Sequence, residues 1–393
     1  MQNLDKQYVL PTYARNYINF TKGSNATLWD ENGDDYIDFT SGIGVVSVGH
    51  SNEKLSNALC EQAKNIIHIS NLYYIEPQAK LAQKIAELSE IEGKTFFANS
   101  GAEANEGALK IARKYGEVNG KVKRYKVITL KNSFHGRTIT TVKATGQEKM
   151  HTSYFGPYPD GFVYADDISD IYNKIDSKTV AVMMELIQGE GGVYPFDKEE
   201  VQNLAKELKK RDILLIIDEV QTGVYRTGEF LASNLYDIKP DIITMAKGLG
   251  GGVPIGAIFT TLDVLNPGDH GSTFGGNYLS TRAGLEVCNI LEEYKDSGKL
   301  DENFIYFEER LNEIGKKYTK LFEEVAGLGM MRALRCRGSE VQDLIYKEAH
   351  KERVLVLKAG RNSIRFLPPL TITREEIKEG FDRFERVVKR IND

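Results

Sequence analysis

Short apolar segments alternate with amphipathic helical patterns through the middle of the chain. The apolar segments predict buried strands and lie at 95–98, 126–130, 180–186, 213–217, 242–246 and 255–260. Between them, apolar residues return about once per helical turn, as at Ala104, Ala108 and Ile111 and again at Val201, Leu204 and Leu208. Strands that are apolar on both faces and separated by helices predict an α/β fold with a largely parallel sheet flanked by helices.

The two ends of the chain show a different pattern. Near the start, Asn32-Gly33-Asp34 is a turn signal between the short segments 26–30 and 35–39, which predicts a hairpin. The last third contains long helical patterns and two strand-like segments at 354–357 and 364–367. It closes on a helix whose apolar face carries Ile377, Phe381, Phe384, Val388 and Ile391.

This contrast predicts more than one domain. At about 150 residues per domain, a chain of 393 residues corresponds to two or three units. We expect a large domain over residues 48–275, which holds the alternating strands and helices. Residues 1–47 and 276–393 then form a smaller α+β domain from both chain ends.

The charge balance and the apolar runs exclude several classes of partner. The chain has 51 Lys+Arg and 56 Asp+Glu residues, a net charge of −5, and no basic run, so we expect no nucleic-acid partner. Purely apolar runs such as 180–184 and 213–217 are far shorter than the roughly 20 residues of a membrane span. The first residues lack a secretory signal pattern. We therefore expect a cytoplasmic protein with no membrane partner.

The cysteines and histidines give no metal signal. Cys60, Cys288 and Cys336 are far apart and form no CxxC motif, so we expect three buried, reduced thiols that act as small apolar side chains. The six histidines form no HxH, HxxxH or HExxH pattern. We expect no metal site.

One motif with possible chemistry follows the strand at 95–98. Here Asn99-Ser100-Gly101-Ala102 forms a turn that enters a helix. The first backbone N–H groups of a helix lack internal acceptors, so a phosphate would bind well at this point. Gly101 would allow close approach and Ser100 would offer a hydroxyl. The alternative is a plain helix cap made by Ser100 or Asn99.

Two further motifs place a charged residue directly after an apolar strand. Asp218 follows 213–217 and, being partly buried, needs a partner such as a protonated ring nitrogen. The alternative is a capping or salt-bridged aspartate. Lys247 follows 242–246 and precedes a glycine-rich stretch. A buried lysine of lowered pKa suits a Schiff base with a carbonyl cofactor, whereas the alternative is a lysine that extends from a loop into solvent.

Together the three motifs indicate one cofactor. A phosphate site, a carboxylate for a pyridine nitrogen and a Schiff-base lysine are what pyridoxal phosphate requires. The sequence contains neither a GxGxxG fingerprint nor a complete phosphate-loop motif, which argues against a nicotinamide dehydrogenase or an ATPase.

Several segments in chain order identify a family. They are SGIGV (41–45), SNLYY (70–74), NSGAEANE (99–106), SFHGRT (133–138), QGEGG (188–192), DEVQTG (218–223), AKGL (246–249), HGSTFGGN (270–277) and RFLPPLT (365–371). Through them the chain resembles, over nearly its whole length, the class III aminotransferases of fold type I, which use pyridoxal phosphate. Within that class it resembles the acetylornithine aminotransferases most.

The resemblance implies a role for each matching residue around the cofactor. Lys247 would form the covalent bond with the cofactor and move the substrate proton, and Asp218 would keep the pyridine nitrogen protonated. Phe134 would stack on the ring and Gln221 would lie near its phenolic oxygen. The remaining implied cofactor contacts are Ser100, Gly101 and Ala102 at the phosphate, Glu219 and Val220 beside Asp218, and Thr273, which would reach the phosphate in the neighbouring subunit. A homodimer with two shared active sites follows from that last contact.

The resemblance also implies substrate contacts. Both substrates carry carboxylates, and arginine forms paired hydrogen bonds with carboxylates. Arg137 would bind the α-carboxylate of the amino donor, N2-acetyl-L-ornithine, and Arg365 that of 2-oxoglutarate. Glu190 would pair with Arg365 while the donor is bound and release it for the oxo acid. Ser272 would lie close to the substrate. In isolation, either arginine could equally belong to a structural ion pair.

Other substrates and other reactions stay open at this stage. Succinylornithine, N-succinyl-diaminopimelate, ornithine and 4-aminobutyrate are alternative donors within the class. The segment 41–44 lacks a tyrosine typical of ornithine enzymes, and Ser272 favours acetylornithine over 4-aminobutyrate. An aminomutase or racemase would need the cofactor but no oxo acid, and Arg137 and Arg365 with Glu190 argue against it. A protein that only binds the cofactor would be expected to lack Lys247 or Asp218, and both are present. Arg332 is a departure from the family pattern, which more often has a small or apolar residue there.

Overall fold

The computed structural model describes residues 1–118 and 123–393. The helices are α1 (Gln2–Tyr8), α2 (Ser41–Gly44), α3 (Glu53–Asn65), α4 (Glu76–Ser89), α5 (Gly101–Val118), α6 (Ile139–Ala144), α7 (Ile168–Lys174), α8 (Lys198–Lys210), α9 (Ala232–Leu235), α10 (Tyr278–Asp296), α11 (Lys299–Lys317), α12 (Ser339–Lys351) and α13 (Arg374–Asn392). Single 3₁₀ turns lie at Glu148–Met150, Ser153–Phe155 and Lys247–Gly250.

The strands form one large sheet and three smaller ones. They are β1 (Phe20–Ser24), β2 (Thr27–Asp30), β3 (Asp35–Asp38), β4 (Lys94–Ala98), β5 (Lys126–Leu130), β6 (Phe162–Ala165), β7 (Thr179–Met184), β8 (Ile187–Gln188), β9 (Tyr194–Pro195), β10 (Leu214–Asp218), β11 (Ile242–Met245), β12 (Gly256–Thr260), β13 (Phe322–Leu328), β14 (Met331–Cys336), β15 (Val354–Leu355), β16 (Leu357–Ala359) and β17 (Ser363–Phe366).

The large sheet has the strand order β4-β12-β11-β10-β7-β5-β6. Neighbouring strands from β11 to β6 are parallel, which confirms the predicted α/β fold with a largely parallel sheet. Only β12 runs against its neighbours β11 and β4. The connection over residues 246–255 contains no crossover helix of the kind that returns a chain to a parallel position, and β12 therefore pairs with β11 in the opposite direction.

Alternate residues of the buried strands face two different layers of helices. Val182 and Met184 of β7 pack in one apolar cluster with α7 and α8, whereas Ala181 and Met183 pack in another with α5. Side chains in a strand point to opposite faces in turn, so a strand between two helix layers must be apolar at every position. This is why 180–184 is a continuous apolar run, and it leaves the strand ends as the place for polar groups.

The two chain ends meet in the smaller sheets. β3 pairs in parallel with β15, so an early strand and a late strand share a sheet. Phe39, Phe307, Phe366 and Phe381 form an aromatic cluster beneath α13. The same apolar core also contains Phe97 from the large sheet. Because this core continues across the predicted boundaries, the division at residues 48 and 275 stays a prediction.

Arg332 has a structural explanation. It lies in the β13–β14 hairpin, where it is 8 % exposed and donates hydrogen bonds to the carbonyl oxygens of Gly327 at 2.8 Å and Gly329 at 3.0 Å. Its guanidinium also pairs with Glu308 of α11 at 2.6 Å. These three partners compensate for the burial of its charge. Arg332, where the family more often has a small or apolar residue, therefore fixes the hairpin against α11.

The expectation for the cysteines holds for two of the three. Cys288 and Cys336 are buried, but the prediction that all three thiols are buried is wrong for Cys60, which is exposed. The buried side of α3 is formed by Leu55 and Ala58, and Cys60 projects from another side of that helix. Of the helices in the described ranges, none has the length and apolar composition needed to cross a membrane.

Candidate active site

A cavity of about 390 Å³ lies where five strands of the large sheet end, β4, β5, β7, β10 and β11. Ligands of open α/β sheets bind at the carboxyl ends of strands, and small-molecule sites commonly enclose about 300–1,000 Å³. The structure brings most of the predicted site residues to its wall, namely Ser100, Gly101, Ala102, Phe134, Arg137, Asp218, Val220, Gln221 and Lys247.

One corner of the cavity is the start of α5. The Ser100 hydroxyl accepts a hydrogen bond from the backbone N–H of Glu103 at 3.2 Å, so Ser100 does cap the helix. The N–H groups of Gly101 and Ala102 belong to the first turn, which has no internal acceptors for them. A Cβ atom on Gly101 would lie 2.7 Å from Val220 Cγ1, so only glycine fits there. The corner can therefore act as a helix cap and as an anion site together.

Asp218 closes β10 and is 3 % exposed. Its Oδ2 accepts hydrogen bonds from Asn105 Nδ2 and His135 Nδ1, each at 2.8 Å, and its Oδ1 accepts one from the Val220 N–H at 3.0 Å. Asn105 is held in turn by the Thr244 hydroxyl, which donates to Asn105 Oδ1 at 2.7 Å. Three donors thus fix the Asp218 side chain in the cavity wall, where it can receive a further N–H from a ligand.

Lys247 follows β11 and also lines the cavity. Its backbone has φ = +43°, in the left-handed region that residues other than glycine rarely adopt. Burial lowers the pKa of its ammonium group, and the negative charges of Glu190 and Asp218 partly oppose that effect. A lysine with a lowered pKa is a better nucleophile toward an aldehyde. Strained backbone at such a position is typical of functional sites.

These features fit the cofactor that the sequence predicts. The amine of Lys247 suits an aldehyde, the carboxylate of Asp218 suits a protonated pyridine nitrogen, and the start of α5 suits a phosphate. Phe134 and Val220 add apolar surface for a flat ring. Within the described ranges, no group of three potential metal ligands comes together.

Arg365 and Glu190 form an ion pair beside this cavity. Arg365 is 2 % exposed, and its Nη1 donates to Glu190 Oε1 at 2.7 Å and to Gln221 Oε1 at 3.1 Å. Burial alone would raise the pKa of Glu190, but the Arg365 charge and hydrogen bond hold it below its usual range. The pair is therefore charged at neutral pH, and an incoming carboxylate can replace Glu190 on the arginine.

Arg137 lies at the entrance. Its guanidinium carbon is 5.5 Å from the centre of the Phe134 ring, and its side chain is exposed. Arg137 and Phe134 also line a neighbouring cavity of about 1080 Å³, which extends to Glu190 and Arg361. A substrate that approaches Lys247 can therefore pass the exposed guanidinium of Arg137.

Three predicted site residues lie elsewhere in this chain. Glu219 is buried outside the cavity, where its carboxylate accepts hydrogen bonds from Thr222 and from the start of α9 at Ala232 and Ser233. It follows the last residue of β10 and faces the other way, so the structure does not bring it to the predicted cofactor. Ser272 and Thr273 line a separate depression, although Ser272 Oγ accepts a hydrogen bond from Asn99, which lines the main cavity.

Sequence reasoning assigned no role to four residues that shape the site. Asn105 and His135 lie inside segments that carry the family resemblance, and Thr244 lies in a predicted strand, but hydrogen-bond partners have no sequence pattern. The fourth is Glu185, a buried carboxyl that lines the cavity directly after β7. Glu185 could have been found from the sequence by the same signal as Asp218, a charged residue directly after an apolar run.

Comparison with known proteins gives consistent results. The family model described as aminotransferase class-III matches residues 9–388. The acetylornithine aminotransferase of Wolinella succinogenes is 60% identical over 390 residues, which are 99% of each chain. The succinylornithine transaminase of Salmonella typhimurium is 41% identical over 99% of this chain and 96% of its own.

Solved structures resemble this one along its whole length. The N-acetylornithine aminotransferase of Stenotrophomonas maltophilia superposes with a TM-score of 0.85 at 31% identity, covering 100% of this chain and 99% of the other. The ornithine aminotransferase of Toxoplasma gondii superposes with a TM-score of 0.93 at 31% identity, covering 99% and 94%. The fold thus recurs in enzymes that differ in their named amino donor.

Proposed function

Because the chain belongs to the class-III aminotransferase family, whose members use pyridoxal phosphate, we propose that it transfers the terminal amino group of N2-acetyl-L-ornithine to 2-oxoglutarate. The products are N-acetyl-L-glutamate 5-semialdehyde and L-glutamate, a step of arginine biosynthesis. The observation that carries this proposal is the Glu190–Arg365 pair beside Lys247, because it offers a second carboxylate site that can be opened and closed.

Pyridoxal phosphate, when bound, supplies an aldehyde that joins amines and a ring that accepts electrons from the substrate carbon. Lys247 Nζ would bond to the aldehyde and, once released, carry a proton to and from the substrate carbon. Asp218 Oδ1 would hold the proton of the pyridine nitrogen, with Asn105 and His135 keeping the carboxylate in place. The N–H groups of Gly101 and Ala102 would bind the phosphate, with Thr273 of a second subunit.

The two arginines would bind the two substrates in turn. Arg137 would hold the α-carboxylate of the donor, so that the terminal amine reaches Lys247. During that step Glu190 neutralises Arg365, which lowers the attraction of a second carboxylate. After the donor leaves, 2-oxoglutarate would displace Glu190 and pair with Arg365. Because Glu190 closes and opens the Arg365 site in turn, each substrate would bind only in its own half-reaction. An aminomutase has no second substrate and would need only one carboxylate site.

A spectroscopic titration tests the cofactor, the donor and the acceptor together. Addition of N2-acetylornithine without an oxo acid should remove the visible absorption band of the bound cofactor, and 2-oxoglutarate should restore it. If the band responds to succinylornithine, ornithine or 4-aminobutyrate instead, the protein is an aminotransferase of the same class with a different amino donor. Turnover of the donor with no need for 2-oxoglutarate would favour an aminomutase. Cofactor-treated protein without any band would contradict the proposal.

Replacing Arg137 with alanine should weaken use of the amino donor. The guanidinium would make charge-assisted hydrogen bonds to the α-carboxylate, and their loss should cost about 2–4 kcal/mol. At about 1.4 kcal/mol per factor of ten, kcat/KM for N2-acetylornithine should fall about 30- to 1,000-fold in steady-state assays. Arg211→Ala, at the exposed end of α8, serves as the matched control and should keep full activity. Donor kinetics that do not change in Arg137→Ala would refute this assignment.

We further propose that the protein is a cytoplasmic homodimer with shared active sites. Thr273 lies outside the cavity of its own chain, in a loop joined to the 70–75 segment by hydrogen bonds from Asn71 to the carbonyl oxygens of Ser272 and Gly275. This surface also exposes large apolar side chains, namely Leu72, Tyr73, Tyr74 and Phe274. Such a patch supports a protein interface. Sedimentation equilibrium should give the mass of two chains, and the mass of a single chain would rule the homodimer out.

A further inference from the structure

Glu185 joins two separate segments of the active site through one buried carboxylate. It follows the last residue of β7, is 5 % exposed and lines the cavity. Its Oε1 accepts a hydrogen bond from the backbone N–H of Phe134 at 2.9 Å. Its Oε2 accepts one from the backbone N–H of Gly189 at 3.2 Å. The first segment carries Phe134 itself, and the second leads directly into Glu190.

We propose that Glu185 is a positioning residue whose ionised carboxylate ties the Phe134 segment to the Gly189 segment, so that its charge controls how firmly both sides of the site are held. The effect on catalysis rests on the function proposed above. The structural link does not, because it concerns two backbone amides of this chain.

The charge matters because each protonation state offers different hydrogen-bonding atoms. An ionised carboxylate has two acceptor oxygens, which suit the two N–H donors. Protonation makes one oxygen a hydroxyl, which has a proton to donate and is a weaker acceptor than a carboxylate oxygen. One of the two buried amides would then face only a weak acceptor, which is costly. Protonation should therefore loosen either the Phe134 segment or the Gly189 segment.

The groups around Glu185 make this change possible near neutral pH. Burial raises the pKa of Glu185 to about 7, and the negative charge of Asp218 acts in the same direction. His135, from the segment after β5, acts in the opposite direction, as do the two backbone hydrogen bonds. Above that pH the carboxylate is ionised and both amides are satisfied, and below it one of them keeps only the weaker hydroxyl acceptor.

The remaining charged groups near Glu185 do not replace its role. Lys247 lines the same cavity and interacts with it as a charge. Glu190, one residue beyond Gly189, is already paired with Arg365, so it is not free to accept the Gly189 N–H. Glu185 is therefore the acceptor that the Phe134 and Gly189 N–H groups share.

Hydrogen exchange measured by mass spectrometry tests the link without any catalytic assay. Glu185→Gln mimics the protonated carboxyl, since an amide also has one acceptor and one donor end. At pH 8, peptides covering 133–137 or 187–191 should exchange about tenfold faster in the variant than in the wild type. At pH 5.5, the variant and the wild type should exchange alike. Equal exchange at pH 8 would overturn the proposal.

The wild-type protein and a control variant provide independent measurements. In the wild type, protection of the same peptides, corrected for the intrinsic pH dependence of exchange, should fall as the pH drops through about 7. Asp241→Asn is the matched control, because Asp241 is also a carboxyl with a raised pKa that accepts one backbone N–H, from Leu215 at 2.8 Å. It lies at the other end of β10 and β11, and its replacement should leave both peptides unchanged. Protection that does not depend on pH would refute the link.

A kinetic measurement extends the test to function. The half-reaction with 2-oxoglutarate is suitable because the carboxylates of this substrate stay ionised from pH 5.5 to 9. In the wild type its kcat/KM should decrease below about pH 7, and in Glu185→Gln that decrease should be absent, with a uniformly low value. An unchanged pH profile in the variant would contradict the catalytic effect. No reaction of the wild type with 2-oxoglutarate would instead refute the proposed function and leave the exchange result to decide on Glu185.

Discussion

Replacing Lys247 with alanine should abolish turnover, lowering kcat by at least about 10⁴-fold. The variant loses both the amine that bonds to the cofactor and the base that moves the substrate proton. No other lysine lines the cavity among the described residues, so no neighbour can take over either task. The measurement is a steady-state assay with N2-acetylornithine and 2-oxoglutarate, together with the visible spectrum of the cofactor-treated variant.

The spectrum distinguishes a catalytic loss from a folding failure. The phosphate corner at Gly101 and the Asp218 carboxylate remain in the variant, so it should still bind the cofactor, without a covalent bond that borohydride can fix. Lys206→Ala, on the exposed side of α8, should retain wild-type activity and spectrum. Substantial turnover by Lys247→Ala, or borohydride fixation of the cofactor to another residue, would overturn the mechanism.

The strands were predictable because burial on both faces leaves a continuous apolar run. Residues 126–130 and the helix pattern from Ala104 onward were located well for this reason. The strand Phe162–Ala165 was missed, since it lies at the edge of the large sheet, is only half buried and forms no long apolar run. The reversal of β12 was also missed, because the direction of a strand depends on its connection and pairing and not on its composition.

The limits of prediction at the site have a similar physical origin. Strand-end motifs located Ser100, Asp218 and Lys247 because each places a polar group beside apolar residues. The sequence assigned the pyridine nitrogen to Asp218, but the family resemblance also implied a cofactor contact for Glu219. Neighbouring residues at a strand end face opposite sides, and the structure brings only Asp218 to the cavity. The network behind Asp218 and the two amides at Glu185 depends on three-dimensional contacts that leave no periodic signal.

Replacing Asp218 with asparagine should slow both half-reactions by about 10²- to 10⁴-fold. A carboxylate beside the pyridine nitrogen raises the pKa of that nitrogen and keeps it protonated, whereas a neutral amide does not. Loss of one partner of a buried charged pair costs about 3–5 kcal/mol, which corresponds to that range of rates. His135 and Asn105 both donate to Oδ2, so an amide nitrogen at that position would also face two donors.

The comparison with Glu219→Gln separates catalysis from stability. Glu219 is the adjacent buried carboxyl, but its hydrogen bonds hold Thr222 and the start of α9. Glu219→Gln should therefore lower the thermal unfolding midpoint more than it lowers the rate per folded molecule. Asp218→Asn should instead lower the rate per folded molecule more than it lowers the unfolding midpoint. Its single-turnover rates should fall both with the donor and with the oxo acid. Equal rates in Asp218→Asn and the wild type would show that the ring nitrogen does not depend on this carboxylate, and the assignment of Asp218 would fall.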